Sequence, residues 1–289
     1  MSRWRSRFKW LAALVCVALS AELAYAQFGG RGGLRSGSGF LRGEQGDPPE
    51  IPGDYRPDGF LAACHWYYTS VRREANGAGW RTDYPWAGRN LLLRLSELTK
   101  TRVSWLQPHV VHSWLTELDD DALFQCPYLM ASDVGTIGMT QDEADRLRLY
   151  LEKGGFLWVD DFWGEAAWAQ WTREFGKAMP PDIYPIEDIP LTDPIFTATM
   201  LEVKEIPQVP SIRFWRGTGG NTSERGEESA TVHIRGIRDK HGRIIAIMTH
   251  NTDLSDSFER EGEDPQFFSR MSSRGYPVGI DILLYMLTH

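Results

Sequence analysis

The chain has 289 residues, 39 Asp and Glu against 31 Lys and Arg, and a formal net charge of -8 at pH 7. With no basic patch to offset that acidity, nucleic acid is not expected as a partner. The 42% hydrophobic content supports one sizeable core, and three cysteines are too few for a disulfide scaffold.

Residues 1–26 carry Arg3, Arg5, Arg7 and Lys9, then an apolar run, then Ala24-Tyr25-Ala26, the small-x-small pattern that precedes a cleavage point. This predicts a signal peptide over 1–26. The apolar run, about 12 residues, falls short of the roughly 20 that span a bilayer, so no stable membrane insertion is expected once the signal is removed. The expected location is outside the cytoplasm, periplasmic or extracellular. Residues 27–57 are rich in Gly and Pro and poor in apolar side chains, which predicts a flexible linker. A single α/β domain is expected over 58–289.

Residues 60–68 read as the first strand. A helix is predicted over 90–99, where Leu91, Leu92, Leu95 and Leu98 form one apolar face. Residues 103–111 read as a second strand or extended edge, 115–124 as a short helix, and 127–131 as a third buried strand ending at Ser132-Asp133-Val134-Gly135. Thr140 and Glu143 have capping-box spacing, Leu147, Tyr150 and Leu151 recur at helical intervals, and Gly154 sits where a left-handed cap ends a helix. Residues 156–159 are then continuously apolar, as in a strand buried on both faces of a parallel sheet, and end in Asp160 and Asp161. A helix over 165–177 follows. Residues 212–215, 230–238 and 243–249 read as strands, the last two joined by Asp239-Lys240-His241-Gly242 into an antiparallel hairpin at one sheet edge. Pro277 opens a closing helix over 278–287. Strand alternating with helix predicts a doubly wound, mainly parallel sheet with an antiparallel edge extension. Cys64 and Cys126 lie in apolar strand-like contexts and are read as buried free thiols, with a single disulfide as the alternative in an oxidising compartment.

Ligands of an open α/β sheet bind beyond the carboxyl ends of its strands, and polar residues gather at three such ends here. Asp160 and Asp161 alternate faces, so one enters the crevice while the other caps the next helix, and Asp161 is the choice for the crevice. Trp163 and Glu165 follow on the same turn, where an indole beside carboxylates suits sugar stacking or core packing. Asp133 ends one strand, and His250, Asn251 and Asp253 follow another. Arg213 lies beside a glycine-rich loop, Gly217-Thr218-Gly219-Gly220-Asn221, able to face an anion. Residues 255–264 read as a solvated acidic loop or a lid. His250 reads as a general base or as a residue of a structural hydrogen-bond network, with a metal-ligand role beside Asp253 and Asp161 as a further alternative; with no Cys/His cluster or dinucleotide fingerprint present, neither metal nor cofactor is predicted.

Thr82-Asp83-Tyr84-Pro85, Arg89-Asn90-Leu91-Leu92, the stretch 151–165, Pro207-Gln208-Val209-Pro210, Phe214-Trp215-Arg216-Gly217, His250-Asn251-Thr252-Asp253-Leu254 and Glu259-Arg260-Glu261-Gly262-Glu263-Asp264-Pro265 resemble a bacterial family catalogued as domain of unknown function 4159. The helix, Gly-Gly, strand and sharp turn at 147–167 also resemble the nucleophile elbow of class I glutamine amidotransferase-like folds, ThuA-like proteins among them. These resemblances imply a flavodoxin-like fold and no established activity. Amidotransferases place a cysteine at the elbow, and that register falls at about Asp161 here. A carboxylate cannot form the thioester, so glutamine hydrolysis is not expected. The leading expectation is an exported domain that binds a small molecule or an envelope protein. The alternative is a hydrolase or isomerase acting on a carbohydrate-like substrate, with Asp161 and His250 as acid and base.

Overall fold

The computed structural model describes residues 60–197 and 201–289. The expected signal peptide, the linker and the boundary at 58 lie outside the described residues. Seven strands make the central sheet: β1 (Ala63–Trp66), β2 (Ser113–Thr116), β3 (Tyr128–Ser132), β4 (Phe156–Phe162), β5 (Glu187–Asp188), β6 (His233–Arg238) and β7 (Ile244–His250). Their spatial order is β2-β1-β3-β4-β7-β6-β5. The first five in that order run parallel, and β6 and β5 pair antiparallel at the edge. From β1 the chain steps outward to β2, then returns to β3 and proceeds the other way. The carboxyl ends of β1 and β3 therefore flank a point where connection direction reverses, which is where such sheets open a crevice.

Both faces of the sheet are covered. Tyr128, Met130, Phe156 and Trp158 point to the side of α1 (Trp86–Leu98) and α6 (Ser273–Thr288), while Leu129, Ala131, Leu157 and Val159 point to α2 (Gln141–Glu152) and α3 (Gly164–Ala178). This two-sided demand explains why β3, β4 and β7 are buried at every position and read as unbroken apolar runs. Each large apolar side chain so buried contributes about 1.5–3 kcal/mol. The Thr140 hydroxyl accepts from the Glu143 N–H at 3.2 Å and the Glu143 carboxylate accepts from the Thr140 N–H at 2.8 Å. This box starts α2, and Gly154, at φ 102, ends it and turns the chain into β4.

Several expectations are corrected. Residues 113–116, assigned in part to a helix over 115–124, form β2, because Trp114 and Leu115 are buried beside β1; a short 3-10 helix, Asp121–Gln125, follows. Within 103–111 the strands Trp105–Gln107 and Val110–Val111 make a separate two-stranded hairpin. Residues 212–215 are helical, in α4 (Ile212–Gly217), because the Ser211 hydroxyl caps it by accepting from the Phe214 N–H. The solvated loop expected from 255 begins as α5 (Leu254–Glu259), whose residues Leu254 to Phe258 are buried. The closing helix starts earlier, at Ser273, and includes Pro277.

Cys64 and Cys126 are joined in a disulfide, not free. Cys64 lies in β1 and Cys126 just before β3, and the pairing of those neighbouring strands brings the two Cα atoms to 6.0 Å, within disulfide reach. Among the described residues no helix is long and apolar enough to cross a membrane.

Candidate functional site

The site is built where β1, β3, β4 and β7 leave the sheet. On β4 the pairing with β7 slips: Met248 faces Val159, but His250 faces Phe162, so β4 carries one extra residue. This is a bulge, and Asp161 occupies it at φ 51. The bulge sends the adjacent carboxylates to different places. Asp160 is clamped by the Thr249 hydroxyl at 2.5 Å and by the N–H and hydroxyl of Ser255, both at 2.7 Å. Asp161 turns toward the crevice, where its Oδ1 accepts from Trp163 Nε1 at 2.8 Å.

Asp83 comes from the connection after β1, Asp133 from the end of β3, and Asp253 from the turn after β7. Asp83, Asp133 and Asn251 share the left-handed backbone of Asp161, at φ 66, 54 and 63. Non-glycine residues rarely hold this conformation, and Asp and Asn tolerate it best. Asp133 accepts from the Gly79 N–H at 2.7 Å, and Asp253 caps α5 by accepting from the Asp256 N–H at 2.7 Å.

One oxygen from each of Asp83, Asp161 and Asp253 lies within 4.8 Å of the other two, and Asp83, Asp256 and Glu259 form a second such triad. Asp83 belongs to both, is 6% exposed, and its Oδ2 has no hydrogen-bond partner. Burial, reinforced by Glu259 and Asp256, pushes the Asp83 carboxyl well above the usual carboxylate range. Asp161 rises likewise by burial and then by Asp83, Glu224 and Asp133, and Asp253 by burial and then by Asp161 and Asp83. Burial lifts Asp133 to about 8, and burial with Asp256 lifts Glu259 to about 8. Arg260 offsets part of the second triad, 3.3 Å from Asp256 and 2.8 Å from Glu259. Among the described residues no Lys, Arg or His forms an ion pair with Asp83, Asp161 or Asp253. The arrangement concentrates negative charge that water reaches poorly.

Of the residues marked in the sequence, the structure gathers Asp133, Asp161, Asp253 and Trp163. Trp163 is buried and bonded to Asp161 rather than offered as a stacking platform. Asp160 is adjacent but committed to structural hydrogen bonds, which hold its carboxyl near 6 against the lift of burial. Asn251 is also structural, accepting from the Gly164 N–H and donating to the Thr231 carbonyl, both at 2.8 Å. Glu165 is exposed at the start of α3, and Arg213 is exposed on α4.

His250 does not join Asp161 as an acid/base pair. Its Nε2 lies 3.1 Å from the Gly164 carbonyl, and its ring packs on Phe162, Trp168 and His233. Burial pushes it down to about 4, and its charged neighbours are Arg235 and His233, not the carboxylate cluster. A neutral imidazole that donates to Gly164 fixes the start of α3.

Asp83, Asp256 and Glu259 were not marked in the sequence. Asp83 follows the first strand and lies inside one of the resembling motifs, the signal that singles it out in the sequence. Asp256 and Glu259 sit in a stretch whose many charges read as solvent-facing. Residues 69–287 match the family model described as Domain of unknown function (DUF4159). No curated protein matches the chain.

Proposed function

Starting from the premise that the chain belongs to the DUF4159 family, we propose that it is a ligand-binding domain that holds a hard divalent cation in its carboxylate cluster. The observation that carries this is Asp83: buried, one oxygen without a hydrogen bond, and shared by two carboxylate triads of which the first has no countercharge among the described residues. Like charges this close in a poorly hydrated site cannot all ionise unaided, and a buried carboxylate left unpaired is costly. A divalent ion resolves both. Oxygen-only donors favour Ca²⁺, Mg²⁺ or Mn²⁺ over softer metals. Asp83, Asp161 and Asp253 would be its ligands, and the ion would supply a positive anchor for an oxygen-bearing ligand.

The parallel strands, in the order β2-β1-β3-β4, support a flavodoxin-like reading, with Asp161 at the elbow where an amidotransferase-like enzyme carries its cysteine. The disulfide supports export to an oxidising compartment, periplasmic or extracellular. The separation of His250 from Asp161 weighs against the acid/base hydrolase reading.

The test is thermal unfolding of EDTA-stripped protein at pH 8 with CaCl₂, MgCl₂ or MnCl₂. A site at 100 times its Kd stabilises by about 2.7 kcal/mol, and at roughly 2–4 °C per kcal/mol this raises Tm by about 5–10 °C. The gain should shrink as pH falls, because protons compete for the same carboxylates. Asp83→Asn should abolish it. No shift with any of the three ions, or an equal shift in the variant, would refute the proposal.

A further inference from the structure

A cleft lies at the opposite end of the sheet from the carboxylate cluster. Its volume is about 640 Å³, and it opens where Cys126 and Pro127 lead into β3 and Gly154 and Gly155 lead into β4. This volume suits a small molecule rather than a lone ion. Phe60, Phe124 and Tyr150 give it aromatic walls, and Leu287 stands at its rim. Arg102 and Lys153 line it as well, Arg102 5.5 Å from the centre of the Phe60 ring and Lys153 5.6 Å from that of Phe124. Arg243 lies alongside, donating to the Gly154 carbonyl at 2.8 Å while its Nε is buried with no partner.

Among the described residues no carboxylate forms an ion pair with Arg102, Lys153 or Arg243. The neighbouring Arg146, also over the Phe124 ring, pairs with Asp121 at 2.8 Å, a neutralisation that these three side chains lack among the described residues. Uncompensated positive charge on low-dielectric walls attracts an anion. The rings add a demand that a bare anion does not meet, because flat apolar surface favours a stacked aromatic body.

We propose that this cleft binds a small aryl carboxylate, its ring along the aromatic walls and its carboxylate beside Arg102 and Lys153. The proposal is independent of the cation reading, since the acidic cluster lies at the other ends of the strands. Its test is isothermal titration of the full chain with 3-phenylpropionate, 3-phenylpropanol and acetate. The acid should bind at least tenfold more tightly than the alcohol, which lacks the charge, and than acetate, which lacks the ring. Arg102→Gln with Lys153→Gln should weaken the acid at least tenfold with unchanged Tm, and Asp83→Asn should leave it unaffected. Equal binding of acid and alcohol, indifference to the double variant, or no binding of the acid would overturn the proposal. Binding that emerges only in a chain carrying Glu50→Gln, Asp54→Asn and Asp58→Asn would also overturn it, by assigning the cleft to the acidic segment preceding Phe60.

Discussion

Asp133→Asn isolates what one buried acid does to stability. Burial lifts the Asp133 carboxyl from 3.8 to about 8, with Glu74 adding to the rise and the Gly79 N–H opposing it. The folded state thus holds the proton more tightly than the unfolded chain. The stability linked to this group is fully present below pH 3.8 and is lost as pH climbs toward 8, at about 1.4 kcal/mol per pH unit. By pH 7 the loss is about 4 kcal/mol, a large share of the roughly 5–15 kcal/mol that holds a domain together. Asparagine cannot ionise, it tolerates the backbone at φ 54, and its carbonyl can still accept from Gly79, 2.7 Å away in the wild type. Urea unfolding of both proteins in EDTA at pH 5, 6, 7 and 8 should show the variant gaining on the wild type by about 1.4 kcal/mol per unit. EDTA keeps any bound cation from masking the effect. If the difference stays constant across that range, Asp133 does not titrate as its burial requires and the electrostatic account of the site fails with it.

Two further outcomes test the frame around the site. The disulfide closes a loop of 62 residues, so Cys64→Ala with Cys126→Ala should cost about 4 kcal/mol in urea unfolding, and the unreduced wild type should show no thiol besides Cys16 reactive to Ellman's reagent after denaturation; two further reactive thiols would contradict the bond. Thr249 accepts from Trp158 Nε1 at 3.0 Å and donates to Asp160, so Thr249→Val leaves the buried Trp158 N–H unpaired and strips one of the hydrogen bonds to Asp160, which keeps those from Ser255, and should cost about 2–3 kcal/mol. The penalty should be larger at pH 8 than at pH 5, because the lost hydrogen bond favoured the ionised form of Asp160; a loss under about 1 kcal/mol at both pH values would count against the network.

The sequence displayed its architecture wherever one local pattern decided the outcome. The capping box at Thr140, the stop at Gly154 and the apolar run of β4 each lie within a few residues, and each appears as expected. What long-range pairing decides was hidden. β2 is four residues long and takes its strand form from lying beside β1, and the disulfide depends on β1 lying beside β3. The short helices α4 and α5 start at Ser211 and Asp253, residues whose capping use looks like loop polarity in a linear reading. Three strand ends pointed to Asp133, Asp161 and Asp253 as neighbours. No spacing rule linked them to Asp83, because the carboxylates come from separate connections of the sheet.

The four left-handed residues at these strand ends restrict which substitutions the chain can accept there. A β-branched or bulky replacement would strain the turn itself, so the accessible alternatives at 83, 133, 161 and 251 reduce to Asp, Asn and Gly. Substitution can therefore switch the charge of the crevice on or off one position at a time while its outline persists. A deep library at these four positions should recover folded members drawn almost wholly from that three-letter alphabet.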